Sequence, residues 1–285
     1  MYVLALASRL LFLAAFGATA TACDPRAAAE PSAREGLSLS ARAATPAQAA
    51  HPAQEGPVRV ERLPGAAPEM FVQLGPAGPH KLVFLHGMCG HGMGYAQSFQ
   101  FAASKRGRLI SPQADIVCGK GPWAKWSGDV DKLDRRIAET FVALGEREPL
   151  RDVVVIGYSQ GATRAEALAR GFPERYTRLV LMGAPSPTST RGLTHLTSTV
   201  MMAGERDRQD LMKANVRRFV AAGIPSTFIE LPGATHGAMG RNPERTMDQA
   251  LEWLFEHSRV TPPSPGLRGG AELSNAAPAS SAAAP

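Results

Sequence analysis

Apolar positions along the chain fall into short runs that alternate with longer amphipathic stretches. VRVERL (58–63) and MFVQLG (70–75) read as an opening hairpin. KLVFLHG (81–87) is nearly continuous in apolar residues, the pattern of a strand buried on both faces of a parallel sheet. A helix is expected near 92–104, a strand at RLISPQ (108–113) and an amphipathic helix near 128–145. DVVVIGYS (152–159) is the strongest strand signal and runs directly into the helical ATRAEALARGF. RLVLMGA (178–184), STVMMAGE (198–205) and STFIELPG (226–233) complete the strands, with helices near 207–222 and 243–257. This alternation predicts a three-layer α/β fold, a mostly parallel sheet with helices on both faces. Ligands of such sheets sit beyond the carboxyl ends of the strands.

The flanks break the pattern. The first 22 residues carry one charge, Arg9, followed by a short apolar run ending in small residues, which is the form of an export signal. Ala20-Thr21-Ala22-Cys23 resembles the lipobox of bacterial lipoproteins, in which the cysteine becomes the lipidated first residue. Ordinary cleavage after Ala20 or Ala22 and a retained anchor are the alternatives. Residues 23–56 and 259–285 are rich in Ala, Pro and small polar residues and cannot bury enough apolar surface to fold. The expected organisation is therefore signal peptide 1–22, tether 23–56, one domain 57–258 and tail 259–285. The protein would be exported, as a cell-envelope lipoprotein or a secreted protein.

Composition narrows the classes. Hydrophobic residues make up 44% and charged residues 20%, which supports a packed core and excludes disorder throughout. The net charge is +6, from 31 basic and 25 acidic residues, but the basic residues alternate with acidic ones and form no block. Nucleic acid is not an expected partner. Cys23, Cys89 and Cys118 are the three cysteines. If Cys23 carries lipid, an even pair remains that an oxidising compartment could join, two buried thiols being the alternative.

Gly157-Tyr158-Ser159-Gln160-Gly161 fits G-x-S-x-G between the best strand and a good helix. There a sharp turn would hold Ser159 in a strained conformation and admit only small residues at 157 and 161. A serine needs a base to become a nucleophile. His236, in Gly233-Ala234-Thr235-His236-Gly237, lies at the end of strand 226–233, on the same edge. His195 is the rival; His51 in the tether and His257 at the end of the last helix are poorly placed. A carboxylate should fix the histidine tautomer. Glu205, Asp207 and Asp210 follow strand 198–205; Asp207 is preferred for its loop position, with Glu205 next.

The order Ser159, Asp207, His236, the strand–GYSQG–helix elbow and the His86-Gly87 pair after strand 81–87 together resemble the α/β-hydrolase family over about 57–258. Ala203-Gly204-Glu205-Arg206-Asp207 is similar to that family's acid loop. The resemblance implies an oxyanion hole at the N–H groups of Gln160 and Met88. Met88 and Cys89 replace two glycines of the HGGG run of its lipase subgroup. It also implies a serine hydrolase of carboxylic esters working through an acyl-enzyme, without a cofactor, on a small-molecule ester. A peptidase, thioesterase or acyltransferase with the same triad, or a catalytically silent binding protein, are the alternatives. The cluster His86, Cys89, His91 and Cys118 holds zinc-ligand types, but its spacing matches no common zinc site, and no metal is expected. Residues 185–197 are too few for a helical lid, so the site should be open. Trp123 and Trp126 would form an apolar wall there, with core packing or surface exposure as the plainer reading.

Overall fold

The computed structural model describes residues 56–260. The expected signal peptide, Cys23, the tether and nearly all of the tail lie outside the described residues. An eight-stranded sheet has the order β1-β2-β4-β3-β7-β8-β9-β10, from β1 (Arg59–Arg62), β2 (Met70–Leu74), β4 (Gly107–Pro112), β3 (His80–Leu85), β7 (Val153–Tyr158), β8 (Tyr176–Met182), β9 (Ser198–Gly204) and β10 (Ser226–Leu231). β1, β2 and β4 pair antiparallel; from β4 through β3 to β10 every pairing is parallel.

Both faces of the sheet are covered, which explains the unbroken apolar runs. All six residues of β7 are buried. Because side chains alternate across a strand, Val153 and Val155 join one core with Leu133, Ile137 and Phe141, whereas Val154 and Ile156 join another with Met247, Leu251 and Leu254. The first core is closed by α3 (Val130–Ala143), α4 (Gln160–Gly171) and α5 (Gln209–Ala221); the second by α1 (Gly92–Gln97), α2 (Gln100–Arg106) and α6 (Pro243–Glu256). No helix among the described residues is long and apolar enough to cross a membrane.

The order of the strands fixes where a ligand can bind. From β3 the chain leaves for β4 on one side, and from β7 it leaves for β8 on the other. The connections diverge and open a crevice beyond the carboxyl ends of β3 and β7, the topological switch point of an open α/β sheet. Met88 follows β3 and Ser159 follows β7, so the two candidate oxyanion loops flank that crevice.

Two details depart from the sequence pattern. The helix expected near 92–104 is two helices, broken at Ser98-Phe99. There the Ser98 hydroxyl donates to the Tyr95 carbonyl and Phe99 turns fully into the core. The break is compensated from far along the chain: the Glu244 carboxylate, in the first turn of α6, accepts the Phe101 and Ala102 N–H groups at 3.0 and 2.7 Å. A small antiparallel hairpin, β5 (Ile116–Val117) with β6 (Ala124–Lys125), also interrupts the β4–α3 connection. Two-residue strands carry no readable alternation. Glu244→Ala leaves two helix N–H groups without their acceptor and is expected to lower stability by about 1–2 kcal/mol. Urea unfolding at unchanged slope would measure this; an unshifted midpoint would show that water replaces the carboxylate at no cost.

Candidate active site

Ser159 sits on the turn between β7 and α4 at φ 52°, ψ −116°, a conformation L-residues rarely occupy. Two glycines make this turn possible. A Cβ on Gly161 would overlap the Leu85 carbonyl oxygen at the end of β3, and one on Gly157 would overlap the Gly161 carbonyl. Strand and helix backbones therefore meet closely enough to lift Ser159 to the sheet edge. Ser159 is also the N-cap residue of α4, so the positive end of that helix lies under its oxygen.

Three of the candidate residues come together. The Ser159 Oγ lies 3.0 Å from His236 Nε2, and His236 Nδ1 lies 2.9 Å from Asp207 Oδ2. Asp207 Oδ1 accepts the Arg208 N–H at 2.7 Å, which fixes the carboxylate plane. The side chain of Asp207 is 5% exposed and that of His236 51%, so the pair runs from the interior to an open surface. The residues weighed as substitutes are elsewhere. Glu205 accepts the Gly233 N–H at 2.7 Å and pairs with Arg241. Asp210 lies in the first turn of α5. His195 reaches the Tyr176 carbonyl at the beginning of β8, on the opposite edge of the sheet. His257 caps α6 and bonds to the Trp253 carbonyl, while His51 lies outside the described residues.

The loop after β3 runs against the serine: a Cβ on Gly87 would lie 3.3 Å from the Ser159 Cβ. The N–H groups of Met88 and Gln160 have no acceptor among the described residues. Beneath this loop, His86 is fully buried. Its Nε2 accepts the Ala114 N–H at 3.1 Å, which leaves Nδ1 to donate to the Gly87 carbonyl at 2.7 Å. Burial drives its pKa down to about 4 and keeps it neutral. Cys89 and Cys118 are joined by a disulfide that ties the loop to the β5–β6 hairpin. In this arrangement the two thiols of the His86/Cys89/His91/Cys118 cluster are bonded to each other and both His86 ring nitrogens are hydrogen-bonded, and no group of three or more such ligands gathers among the described residues.

Several side chains that the sequence reading did not single out hold the site. Burial pushes the Tyr158 hydroxyl up to about 12, so it remains protonated. It accepts the Gly237 N–H at 2.6 Å and faces the Ala238 carbonyl at 3.3 Å. Tyr95 donates to the Gly237 carbonyl at 2.7 Å. The two tyrosines thus grip the loop that carries His236. Gly183, at φ 52°, supplies the remaining space: a Cβ there would lie 3.0 Å from Asp207 Oδ2 and 3.2 Å from His236 Cε1. Strand alternation places Tyr158 on the α6 side of the sheet, but its hydroxyl partners come from a loop about eighty residues away.

The expected tryptophan wall is half corrected. Trp126 is 6% exposed, packs in the core, and donates its indole N–H to the His86 carbonyl at 2.7 Å. Its backbone N–H bonds the Gln160 side chain. It therefore buttresses the turn and lines no open surface, because the indole finds a buried acceptor only by pointing inward. Trp123 is exposed. Residues 185–197 contain no helix and so form no helical lid.

No protein-family model and no curated protein matches this sequence. Solved structures are similar in fold. An arylesterase superposes with a TM-score of 0.51 at 14% identity, over 71% of this chain and 86% of its own. Esterase PE8 does so at 0.50 and 16% identity, over 69% of this chain and 99% of its own. A thermostable esterase gives 0.46 and 16% identity, over 71% of this chain, which spans only 63% of that protein's length. The strand order, the helices on both faces and the likenesses to the arylesterase and esterase PE8 define the α/β-hydrolase fold.

The neutral, buried His86 predicts a pH dependence of stability. Its folded pKa, about 4, lies below the unfolded value near 6.5, so the unfolded chain binds the extra proton between them. Its contribution is complete above pH 6.5 and is lost as the pH falls toward 4, amounting to about 3 kcal/mol. Chemical unfolding at pH 7 and pH 4.5 should reveal this loss, and it should be smaller in His86→Gln. An equal acid loss in both proteins would assign the effect to other groups.

Proposed function

We propose that the protein is a serine hydrolase of carboxylic esters. The observation that carries this reading is the hydrogen-bonded chain Ser159 Oγ–His236–Asp207, with links of 3.0 and 2.9 Å, at the switch point of the sheet. Ser159 attacks the ester carbonyl carbon while His236 Nε2 takes its proton. Asp207 holds Nδ1–H and stabilises the imidazolium. The carbonyl oxygen becomes an oxyanion that the Gln160 and Met88 N–H groups receive, each donor lowering the barrier by about 3 kcal/mol. The tetrahedral intermediate collapses, His236 protonates the departing alcohol, and the acyl group remains on Ser159. A water, deprotonated by His236, then attacks the acyl-enzyme and releases the acid. Two structures similar in fold, an arylesterase and an esterase, support this reading.

An activated serine labels with a fluorophosphonate. Peptide mass spectrometry should find the adduct on Ser159, lost in Ser159→Ala and strongly slowed in His236→Ala. Asp207→Asn should lower turnover by about 10⁴-fold. A folded protein that takes up no label would leave the serine unactivated, and a binding role would replace the hydrolase.

We further read the N-terminal segment as a lipoprotein export signal. The Cys89–Cys118 disulfide supports an oxidising compartment. Cys23→Ala should move the protein from the membrane fraction to the soluble fraction; a variant still bound to membranes would rule out a lipid on Cys23.

A further inference from the structure

Against the loop that carries His236 lies an open groove of about 500 Å³ whose lining includes His91, Tyr95, Ser98, Pro122, Trp123 and Met239. Its walls come from three segments that also build the site. His91 follows the Met88-Cys89-Gly90 turn directly. Tyr95 packs edge-on against Tyr158, the neighbour of Ser159, at 5.7 Å and bonds Gly237, the neighbour of His236. Met239 stands three residues beyond His236. Pro122 and Trp123 come from the β5–β6 hairpin.

The groove is held in place before any ligand arrives. The hairpin is joined to the Met88 loop by the Cys89–Cys118 disulfide and by the Ala124 N–H donated to the Gly90 carbonyl at 3.2 Å. The Gln113 side-chain amide bridges the two, donating to the Gly90 and Pro122 carbonyls at 3.1 and 2.8 Å. At the hairpin base, the Asp115 carboxylate accepts the Ser127 N–H and hydroxyl and pairs with Lys132. Trp123, 48% exposed, meets His91 edge-on at 6.2 Å. On the two segments that the disulfide joins, Met88 is 64% and Val117 70% exposed. A fold gains nothing by wetting such side chains, and a preorganised apolar wall is what an apolar ligand needs. No Asp, Glu, Lys or Arg side chain lines the groove, and the Ser98 hydroxyl already donates to the Tyr95 carbonyl.

We propose that this groove binds the apolar portion of the substrate, so that the enzyme selects esters with a medium-length alkyl group over short ones. This rests on the hydrolase reading above and adds its substrate class. Each buried methylene contributes about fourfold to binding. An octyl group, part of it seated between Trp123, Tyr95 and Met239, should therefore outweigh an ethyl group by tenfold or more.

Ethyl acetate, ethyl octanoate and octyl acetate, followed by pH-stat titration, test the proposal. One of the two octyl esters should exceed ethyl acetate in kcat/KM by at least tenfold, and the preferred one identifies whether acyl or alcohol side enters the groove. Trp123→Ala should reduce that ratio at least fivefold, whereas Phe101→Ala, exposed on α2 outside the groove, should leave it unchanged. Ratios near one in the wild type, or an unaltered ratio in Trp123→Ala, overturn the proposal. Binding to the Ser159→Ala protein separates it from the hydrolase reading, with 1-octanol as the probe and intrinsic fluorescence as the readout. If no ester is cleaved but 1-octanol quenches saturably and the quench vanishes in Trp123→Phe, the groove stands and the hydrolase fails. If esters are cleaved without chain preference and 1-octanol gives no saturable quench, the groove fails and the hydrolase stands.

Discussion

The close approach of α4 to the ends of β3 and β7 is the constraint on which the rest of the site depends. Gly161 has no room for a side chain against Leu85, and Gly157 has none against Gly161. Only with these backbones in contact can the chain turn so sharply that Ser159 takes φ 52° and its oxygen stands clear of the sheet. Such a conformation costs about 1–3 kcal/mol. The packing of α4 on both neighbouring strands offsets that cost, since Ala162, Ala165, Leu168 and Ala169 are all completely buried. Trp126 braces the turn from the other side, with its indole on His86 and its backbone on Gln160.

Around this rigid turn Asp207 and His236 are held by loops, and the loops are held by one another. The Arg206 N–H donates to the Ala234 carbonyl at 2.9 Å, and the Glu205 carboxylate accepts the Gly233 N–H, so the acid loop and the histidine loop are one unit. Tyr158 and Tyr95 tie that unit back to the sheet and to α1. A hydrogen-bonded chain whose histidine is half exposed depends on such a frame to keep its distances.

The β3 loop is built differently. Where some hydrolases rely on a run of glycines, this chain places Met88 and Cys89, with Cys89 at φ 51°. A disulfide to the hairpin and a buried neutral histidine beneath supply the order that the turn needs. The same covalent link holds the hairpin that carries Trp123, so one device orders both the loop that faces the serine and the groove between Trp123, His91 and Tyr95.

Much of this was legible in the sequence because it depends on local periodicity. Apolar runs buried on both faces and amphipathic helices between them specify a parallel α/β sheet, and G-x-S-x-G at a strand–helix junction specifies the turn. The chain order of Ser159, Asp207 and His236 followed from which loops share one sheet edge. Tertiary structure decided what depends on partners far apart along the chain. It split the helix near 92–104, because Glu244 caps the second half. It turned Trp126 inward, because its N–H finds the His86 carbonyl, and left Trp123 outside on the disulfide-bound hairpin. It set Asp207 against His236 and Glu205 against Gly233 and Arg241, and it brought Tyr158, Tyr95 and Gly183 to the Ser159–His236–Asp207 chain. Periodicity records which face of an element is buried. It holds no record of which buried hydroxyl, glycine or carboxylate will meet which, since that is set by packing between elements rather than within them.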